Sequence, residues 1–199
     1  MSKNFAKFKI GLICGGPSLE RGISLNSARS VMDHLEFEDI DIRPFYFDSK
    51  KNPYKISKAQ LYSNTPSDFD FKLQQTATPL NEKTLATLLK KADIIFPAMH
   101  GSFGEDGGIQ ALLEKHNLPF VGSSSASCKK VFDKFNANEY IKERGFFTFP
   151  SVVLKIYHSD HKHILEKFFK EHKITRAAVK PASGGSSIGV FSVSTAGEA

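Results

Sequence analysis

Residues 97–110 read PAMHGSFGEDGGIQ and directly follow an apolar run at 94–96. An apolar run followed by a Gly-rich polar turn is typical of the carboxyl end of a strand in an open α/β sheet, where such sheets bind ligands. The turn carries His100, Glu105 and Asp106. One of the two acids could cap the helix that follows, but capping does not account for His100. We therefore expect a ligand site at this turn.

A second stretch, residues 179–190, reads VKPASGGSSIGV and places Lys180 between a β-prone run and a Gly/Ser loop. Backbone N–H groups and hydroxyls of such a loop can surround an anion, and a lysine adds a positive charge. A lysine held there by packing would be costly to bury without an anionic partner. The stretch therefore predicts a phosphate site. The two stretches together predict an enzyme that uses a nucleotide and acts on a polar small molecule.

Outward from these stretches, strand-like and helix-like segments alternate through the first 121 residues. The pattern predicts strands at 9–15, 40–47, 92–97 and 118–121, and helices at 18–35, 81–91 and 107–115. Residues 50–79 are polar and rich in turn-forming residues, so we expect a loop region with short elements there. The alternation predicts an open parallel sheet with helices packed on it.

The small, polar run at 122–127 is a candidate domain boundary. After it we expect a helix at 128–144, a strand at 151–154, a helix at 159–172, and strands at 177–180 and 187–193 on either side of the Gly/Ser loop. We therefore expect two domains, at 1–121 and 122–199.

Composition places the chain among globular proteins, with 40% hydrophobic and 24% charged residues. No apolar run approaches the roughly 20 residues of a membrane span, the N-terminus lacks a signal-peptide cleavage site, and two cysteines form no disulfide framework. We expect a cytoplasmic protein without a membrane partner. Most of the net charge of +6 lies in residues 122–199, which carry 12 Lys and Arg against 7 Asp and Glu. This excess fits an anionic ligand. No basic run is interleaved with aromatics, so we expect no nucleic-acid partner.

Residues 15–20, GGPSLE, lie between the first predicted strand and helix. They lack the third glycine of a dinucleotide-binding fingerprint. One interpretation is a tight turn with Ser18 as helix cap and Glu20 favoured by the helix dipole. The other is that Glu20 presents its carboxylate to a substrate ammonium. For Lys134, the sequence by itself favours a solvated helix residue.

Five segments, in this order and spacing, resemble the D-alanine–D-alanine ligase family of ATP-grasp enzymes: GGPSLERGISLNSA, PAMHGSFGEDGGIQ, PFVGSSSASCKKVFDK, GFFTFP and VKPASGGSSIGV. The resemblance implies a Rossmann-like substrate-binding domain followed by the start of an α+β ATP-grasp central domain. It also implies a cytoplasmic, homodimeric parent enzyme for peptidoglycan synthesis. That enzyme would use ATP and Mg²⁺ to join two D-alanines through an acyl-phosphate.

The resemblance also assigns roles to residues. Glu20 would hold the first D-alanine, His100 would lie on the carboxylate side of that substrate, and Glu105 and Asp106 would belong to the surrounding loop. Glu20 and Ser186 would be catalytic, joined in a hydrogen-bonded link. The resemblance implies these ATP-binding residues: Lys134, Lys180, Gly185, Ser186, Ser187 and Gly189. The loop at residues 185–189 would close over the phosphates.

The chain departs from the family at Gly22, Asn138, Ser183 and Gly184, where other residues are usual. Family members continue into a third domain that carries the Mg²⁺ ligands, so we expect no metal site here and place those ligands beyond residue 199. We expect the chain to be a fragment or a truncated product that does not ligate by itself. The alternatives are another ATP-grasp carboxylate–amine ligase and a non-catalytic binding module.

Overall fold

A four-stranded sheet lies at the centre of the N-terminal part of the computed structural model, which describes residues 6–198 apart from Glu36, Asn64, His158 and Ala196. The strands are β1 (Phe8–Gly15), β2 (Ile40–Phe47), β3 (Pro53–Lys55) and β4 (Ile94–Pro97). Their order is β3-β2-β1-β4, and β1 is parallel to both β2 and β4. Only β3 is antiparallel to its neighbour β2. The predicted open α/β sheet is confirmed, with one antiparallel edge strand.

Helices cover both faces of this sheet, which explains why β1 is a continuous apolar run. The helices are α1 (Arg21–Leu35), α2 (Lys58–Ser63), α3 (Pro66–Thr76), α4 (Glu82–Leu89) and α5 (Gly108–Lys115). One hydrophobic cluster joins Leu12 of β1 to α1, α2 and α3. The other joins Ile13 of β1 to α4 and α5. Successive β1 side chains thus enter opposite halves of the core.

The region at 50–79 is more ordered than the sequence predicted, since β3, α2 and α3 all lie in it. Its longest helix, α3, begins with Pro66, and the Thr65 side chain accepts a hydrogen bond from the Asp68 N–H at 3.4 Å. Phe69 and Leu73 of α3 are buried. The turn-forming residues that suggested a loop are therefore the cap and first turn of a helix.

Two further boundaries differ from expectation. The predicted strand at 118–121 is only an isolated bridge between Ile95 and Phe120, because Pro119 has no N–H to extend a ladder. Helix α1 begins at Arg21, and the Ser18 hydroxyl accepts from the Glu20 N–H at 3.1 Å in the turn before it. Ser18 therefore closes that turn and is not the helix cap.

The described residues divide into two compact units, one ending at Lys129 and the other beginning at Lys130. Helix α6 (Ser125–Phe132) runs through the division. The second unit contains α7 (Lys134–Lys142), α8 (His161–His172), and an antiparallel pair, β5 (Ala177–Val179) and β6 (Phe191–Val193). In the described part of the chain, no helix has the length and apolar character needed to cross a membrane.

Three expectations for the second unit need correction. The predicted helix at 128–144 is two helices, because the Asp133 side chain accepts from the Asn136 N–H at 2.8 Å and starts a new helix. Residues 151–154 form no strand, since no described strand pairs with them. The strand predicted at 187–193 shortens to β6, because Ser187 has a left-handed φ of 58° in a turn.

Candidate functional site

The carboxyl ends of β1 and β4 lie side by side, and one serine of α1 ties them together. The Gly15 N–H donates to Ser24 Oγ at 2.8 Å, and Ser24 Oγ donates to the Ala98 carbonyl at 2.6 Å. Ser24 is fully buried. The start of α1 is thereby fixed against the turn that follows β4.

Glu20 lies immediately before α1 and is only 4% exposed. Its carboxylate rests against Gly101, where a Cβ atom would lie 2.5 Å from Glu20 Oε2 and would also overlap the Ser18 hydroxyl. Gly101 has a left-handed φ of +68°, which further favours glycine. The absence of a side chain at Gly101 thus lets the carboxylate approach the turn. The structure brings Glu20 and the 97–110 turn together at one edge of the sheet.

His100 has a partner at each ring nitrogen. Nε2 lies 2.9 Å from Ser27 Oγ, and Nδ1 lies 3.3 Å from Glu105 Oε1. The other Glu105 oxygen accepts from the Gly101 N–H at 3.1 Å. Glu105 therefore connects the histidine ring to the backbone beside Glu20.

Asp106, unlike Glu105, forms a hydrogen bond with the helix that follows the turn. Its Oδ1 accepts from the N–H of Gly108, the first residue of α5, at 2.9 Å. The cap residue of α5 is Gly107, which has no side-chain cap bond, so Asp106 accepts from a first-turn N–H without being the cap itself. The Gln110 side chain adds a second tie, since its Nε2 donates to the Gly104 carbonyl at 2.7 Å. The turn is therefore anchored to the helix that follows it.

Phe103 lies in the same turn with a left-handed φ of 70°. Such a conformation is strained for a bulky residue and persists only where the surroundings fix it. The ring packs on Phe47 with centroids 5.4 Å apart. A stiff turn of this kind can hold ligand groups in fixed positions.

The second unit carries the predicted phosphate loop. Lys134 donates from Nζ to the Gly184 carbonyl, and its backbone N–H donates to the Ala182 carbonyl at 2.8 Å. The prediction that Lys134 is a solvated helix residue is therefore wrong, because its ammonium lies on the loop. Lys180 is exposed directly after β5, so its stem is not held by packing as expected.

The loop backbone is suited to an anion. Ser186 and Ser187 both have left-handed φ values, 52° and 58°, and Gly184 and Gly189 have positive φ values. Consecutive unusual backbone conformations of this kind can direct N–H groups into an anion-binding concavity. Gly185 lies between them and is half-buried. The donor set fits a nucleotide phosphate.

The described residues offer no comparable cluster of side chains for Mg²⁺. Among them, no three His, Cys, Asp or Glu side chains come together in a group that could hold a metal ion.

The sequence did not reveal the parts played by Ser24 and Ser27. Both are polar residues in a helix, which by pattern alone face solvent. Their positions four and seven residues after Glu20 place them on its side of α1, and this spacing is the signal that could have found them.

The first unit is an α/β protein domain with a polar, glycine-rich turn at the carboxyl edge of its mostly parallel sheet, and the second unit has a glycine- and serine-rich loop after β5. Residues 9–123 match the family profile described as "D-ala D-ala ligase N-terminus". The chain belongs to the D-alanine–D-alanine ligase family, of which it carries the N-terminal part.

Relatives agree with this assignment. The chain is 30% identical to the D-alanine–D-alanine ligase of Oceanobacillus iheyensis, over 94% of this chain and 54% of the relative. It is 31% identical to D-alanine–D-alanine ligase A of Escherichia coli K12, over 95% of this chain and 54% of the relative. The chain thus spans about half the length of the curated relatives it matches.

Solved structures show the same likeness. The D-alanine–D-alanine ligase from Coxiella burnetii superposes with a TM-score of 0.80 at 27% identity, covering 96% of this chain and 58% of that one. The VanG D-Ala:D-Ser ligase from Enterococcus faecalis gives a TM-score of 0.66 at 26% identity, covering 94% and 55%. The predicted resemblance to this family, through its N-terminal part, is confirmed.

Proposed function

We propose that this chain supplies the first D-alanine site and part of the ATP site of a D-alanine–D-alanine ligase. The observation that carries the proposal is the placement of the Glu20 carboxylate, almost fully buried, against Gly101 at the sheet edge. A carboxylate withdrawn from water is a strong partner for an ammonium group. The amino group of D-alanine is such a group.

In this proposal Glu20 binds and orients the ammonium of the first D-alanine. His100 lies on the carboxylate side of the substrate, and Glu105 and Asp106 hold the surrounding turn. Holding the substrate in one orientation presents its carboxylate for phosphoryl transfer from ATP, and so lowers the entropic part of the barrier. The amine of a second D-alanine then attacks the acyl-phosphate, and inorganic phosphate leaves.

Lys134 and Lys180 are the proposed phosphate ligands, together with the loop residues Gly185, Ser186, Ser187 and Gly189. The lysines supply point charges and the loop supplies N–H and hydroxyl donors, which neutralise charge that builds up during phosphoryl transfer. Lys180 is exposed and can therefore reach an incoming phosphate without breaking a packed contact.

We further propose that the parent enzyme is a cytoplasmic homodimer that makes dipeptide for peptidoglycan. Such enzymes use Mg²⁺ to neutralise the nucleotide phosphates. No three His, Cys, Asp or Glu side chains among the described residues come together to hold a metal ion. ATP and D-alanine are therefore expected to bind this chain without phosphate release at enzymatic rates, on the order of 1 per second or more.

Isothermal titration with a non-hydrolysable ATP analogue tests the proposal. The Lys180→Ala variant is expected to bind the analogue about 10- to 150-fold more weakly than the unchanged chain, since it loses a charge-assisted contact. The matched control is Lys170→Ala, an exposed lysine on α8, which should bind as before. Equal affinities for all three proteins would remove Lys180 from the ATP site. Failure of the unchanged chain to bind the analogue would favour a non-nucleotide binding module.

A further inference from the structure

The ring of His100 is clamped from both sides by residues of its own chain. Ser27, two turns into α1, lies 2.9 Å from Nε2, and Glu105 lies 3.3 Å from Nδ1. The His100 side chain is 32% exposed. The ring therefore borders solvent while both of its polar atoms are directed at protein groups.

Glu105 decides which nitrogen carries the proton. An ionised carboxylate can only accept hydrogen bonds, so the nitrogen facing it must be N–H. The Gly101 N–H holds the second carboxylate oxygen at 3.1 Å, so Glu105 cannot turn away without losing that bond. The contact with Glu105 favours the neutral form protonated on Nδ1, in which Nε2 accepts a hydrogen bond from the Ser27 hydroxyl.

These contacts form a continuous series that ends beside Glu20. Ser27 holds His100, His100 holds Glu105, and Glu105 holds the Gly101 N–H. The Gly101 backbone is the surface against which the Glu20 carboxylate rests. A change at Ser27 can therefore reach Glu20, the proposed ammonium partner of the substrate, through four consecutive contacts.

We propose that Ser27 is a positioning residue of the first D-alanine site, which holds the His100 ring against Glu105 and so fixes the Gly101 backbone beside Glu20. This inference rests on the proposed function and deepens it. His100 borders the substrate without donating an N–H to it, because both nitrogens are already in use.

The same three side chains could suggest a serine nucleophile activated by a histidine. Ser27 lies in the interior of α1, where backbone N–H groups are used within the helix. An acyl intermediate on Ser27 would lack the backbone donors that stabilise an oxyanion. Ser27 therefore acts on the ring and not on a substrate.

The first test is the ring ¹⁵N spectrum of His100, recorded on the whole chain at about pH 8.5, where an ordinary imidazole is neutral. We expect Nδ1 to be the protonated nitrogen. The Glu105→Ala variant should move the proton toward Nε2, since it removes the acceptor at Nδ1. A ring protonated on Nε2 in the unchanged chain would overturn the proposed clamp, whether or not D-alanine binds.

The second test is the D-alanine dissociation constant, measured by NMR titration of the same protein. Ser27→Ala is expected to raise it about 3- to 10-fold, the effect of one lost hydrogen bond. Ser27→Thr keeps the hydroxyl and should restore binding. Ser30→Ala, an exposed serine on the same helix, is the matched control.

Each outcome of that titration decides something. If Ser27→Ala binds D-alanine as tightly as Ser30→Ala, Ser27 has no positioning role. If the unchanged chain does not bind D-alanine, the proposed function is wrong, and so is the role of Ser27 in that site. The ring spectrum would still show whether Ser27 and Glu105 hold His100 as described.

Discussion

The backbone of Gly101 passes beside the Glu20 carboxylate with a φ of +68°, and no room remains there for a side chain. Gly101→Ala should therefore destabilise the chain by roughly 1–3 kcal/mol and displace Glu20. The measurement is the free energy of unfolding in urea. The control is Gly22→Ala in α1, where the nearest atom to a new Cβ is 3.7 Å away and alanine favours the helix. Equal effects of the two substitutions would mean that Gly101 is not a point of close approach.

The two cysteines lie in different environments, and we expect them to react differently with thiol reagents. Burial raises the pKa of the Cys14 thiol to about 12, and the positive charge of Arg29 opposes this increase. Cys128 is partly exposed, and burial, followed by nearby carboxylates, raises its pKa. At pH 8 a thiol reagent should label Cys128 and leave Cys14 unreacted until the chain unfolds. Rapid labelling of Cys14 in the folded chain would contradict its buried place in β1.

The raised pKa of Cys14 makes the free energy of unfolding depend on pH. The folded chain holds the Cys14 proton more tightly than the unfolded chain, whose thiol has the ordinary pKa of 9.0. This contribution to stability is complete below pH 9 and is lost as the pH rises from there toward 12. The urea midpoint of unfolding should be lower at pH 10 than at pH 8. The Cys14→Ala variant should show a smaller difference between the two pH values.

Among the elements, Asp70 of α3 connects three parts of the first unit. It accepts from the Tyr46 hydroxyl of β2 at 2.8 Å and from Arg21 Nη1 of α1 at 2.7 Å. Burial, followed by the hydrogen bond to Asp70, raises the pKa of Tyr46. Because Arg21 is the residue after Glu20, this contact also fixes the start of α1.

Removing that carboxylate should be costly. Asp70→Ala leaves a mostly buried guanidinium and a buried hydroxyl without their partner, so we expect a loss of about 1.5–3 kcal/mol in the free energy of unfolding. Asp68→Ala, in the exposed first turn of the same helix, should cost under about 1 kcal/mol. Similar losses for the two variants would show that Asp70 does not join the elements.

The sequence predicted the strands of the first unit whose hydrophobic pattern is clear. β1 and β4 were found because each is an apolar run, and β2 because its residues alternate. The position of the 97–110 turn followed from β4. Helix α3 was missed because its start consists of residues that also form loops, and Asp133 was not recognised as a new cap. Ser27 was missed because its importance depends on which loop packs against α1, and that is a tertiary contact.

On the scale of the whole chain, the two described units hold different parts of the predicted chemistry. The first contains the buried carboxylate and the stiff turn. The second contains the phosphate-type loop and most of the net positive charge. The family profile covers residues 9–123, so the assignment to the family rests most firmly on the first unit. The D-alanine site proposed there is the central claim.

An NMR titration of the ¹⁵N-labelled chain with D-alanine, in the presence of an ATP analogue, tests that claim most directly. We predict that D-alanine shifts the amide signals of Glu20, Gly101 and their neighbours, that L-alanine does so much less, and that Glu20→Gln weakens the effect about tenfold or more by removing the charge. A folded chain whose signals at Glu20 and Gly101 do not move with D-alanine, or move equally with L-alanine, would contradict the proposed site.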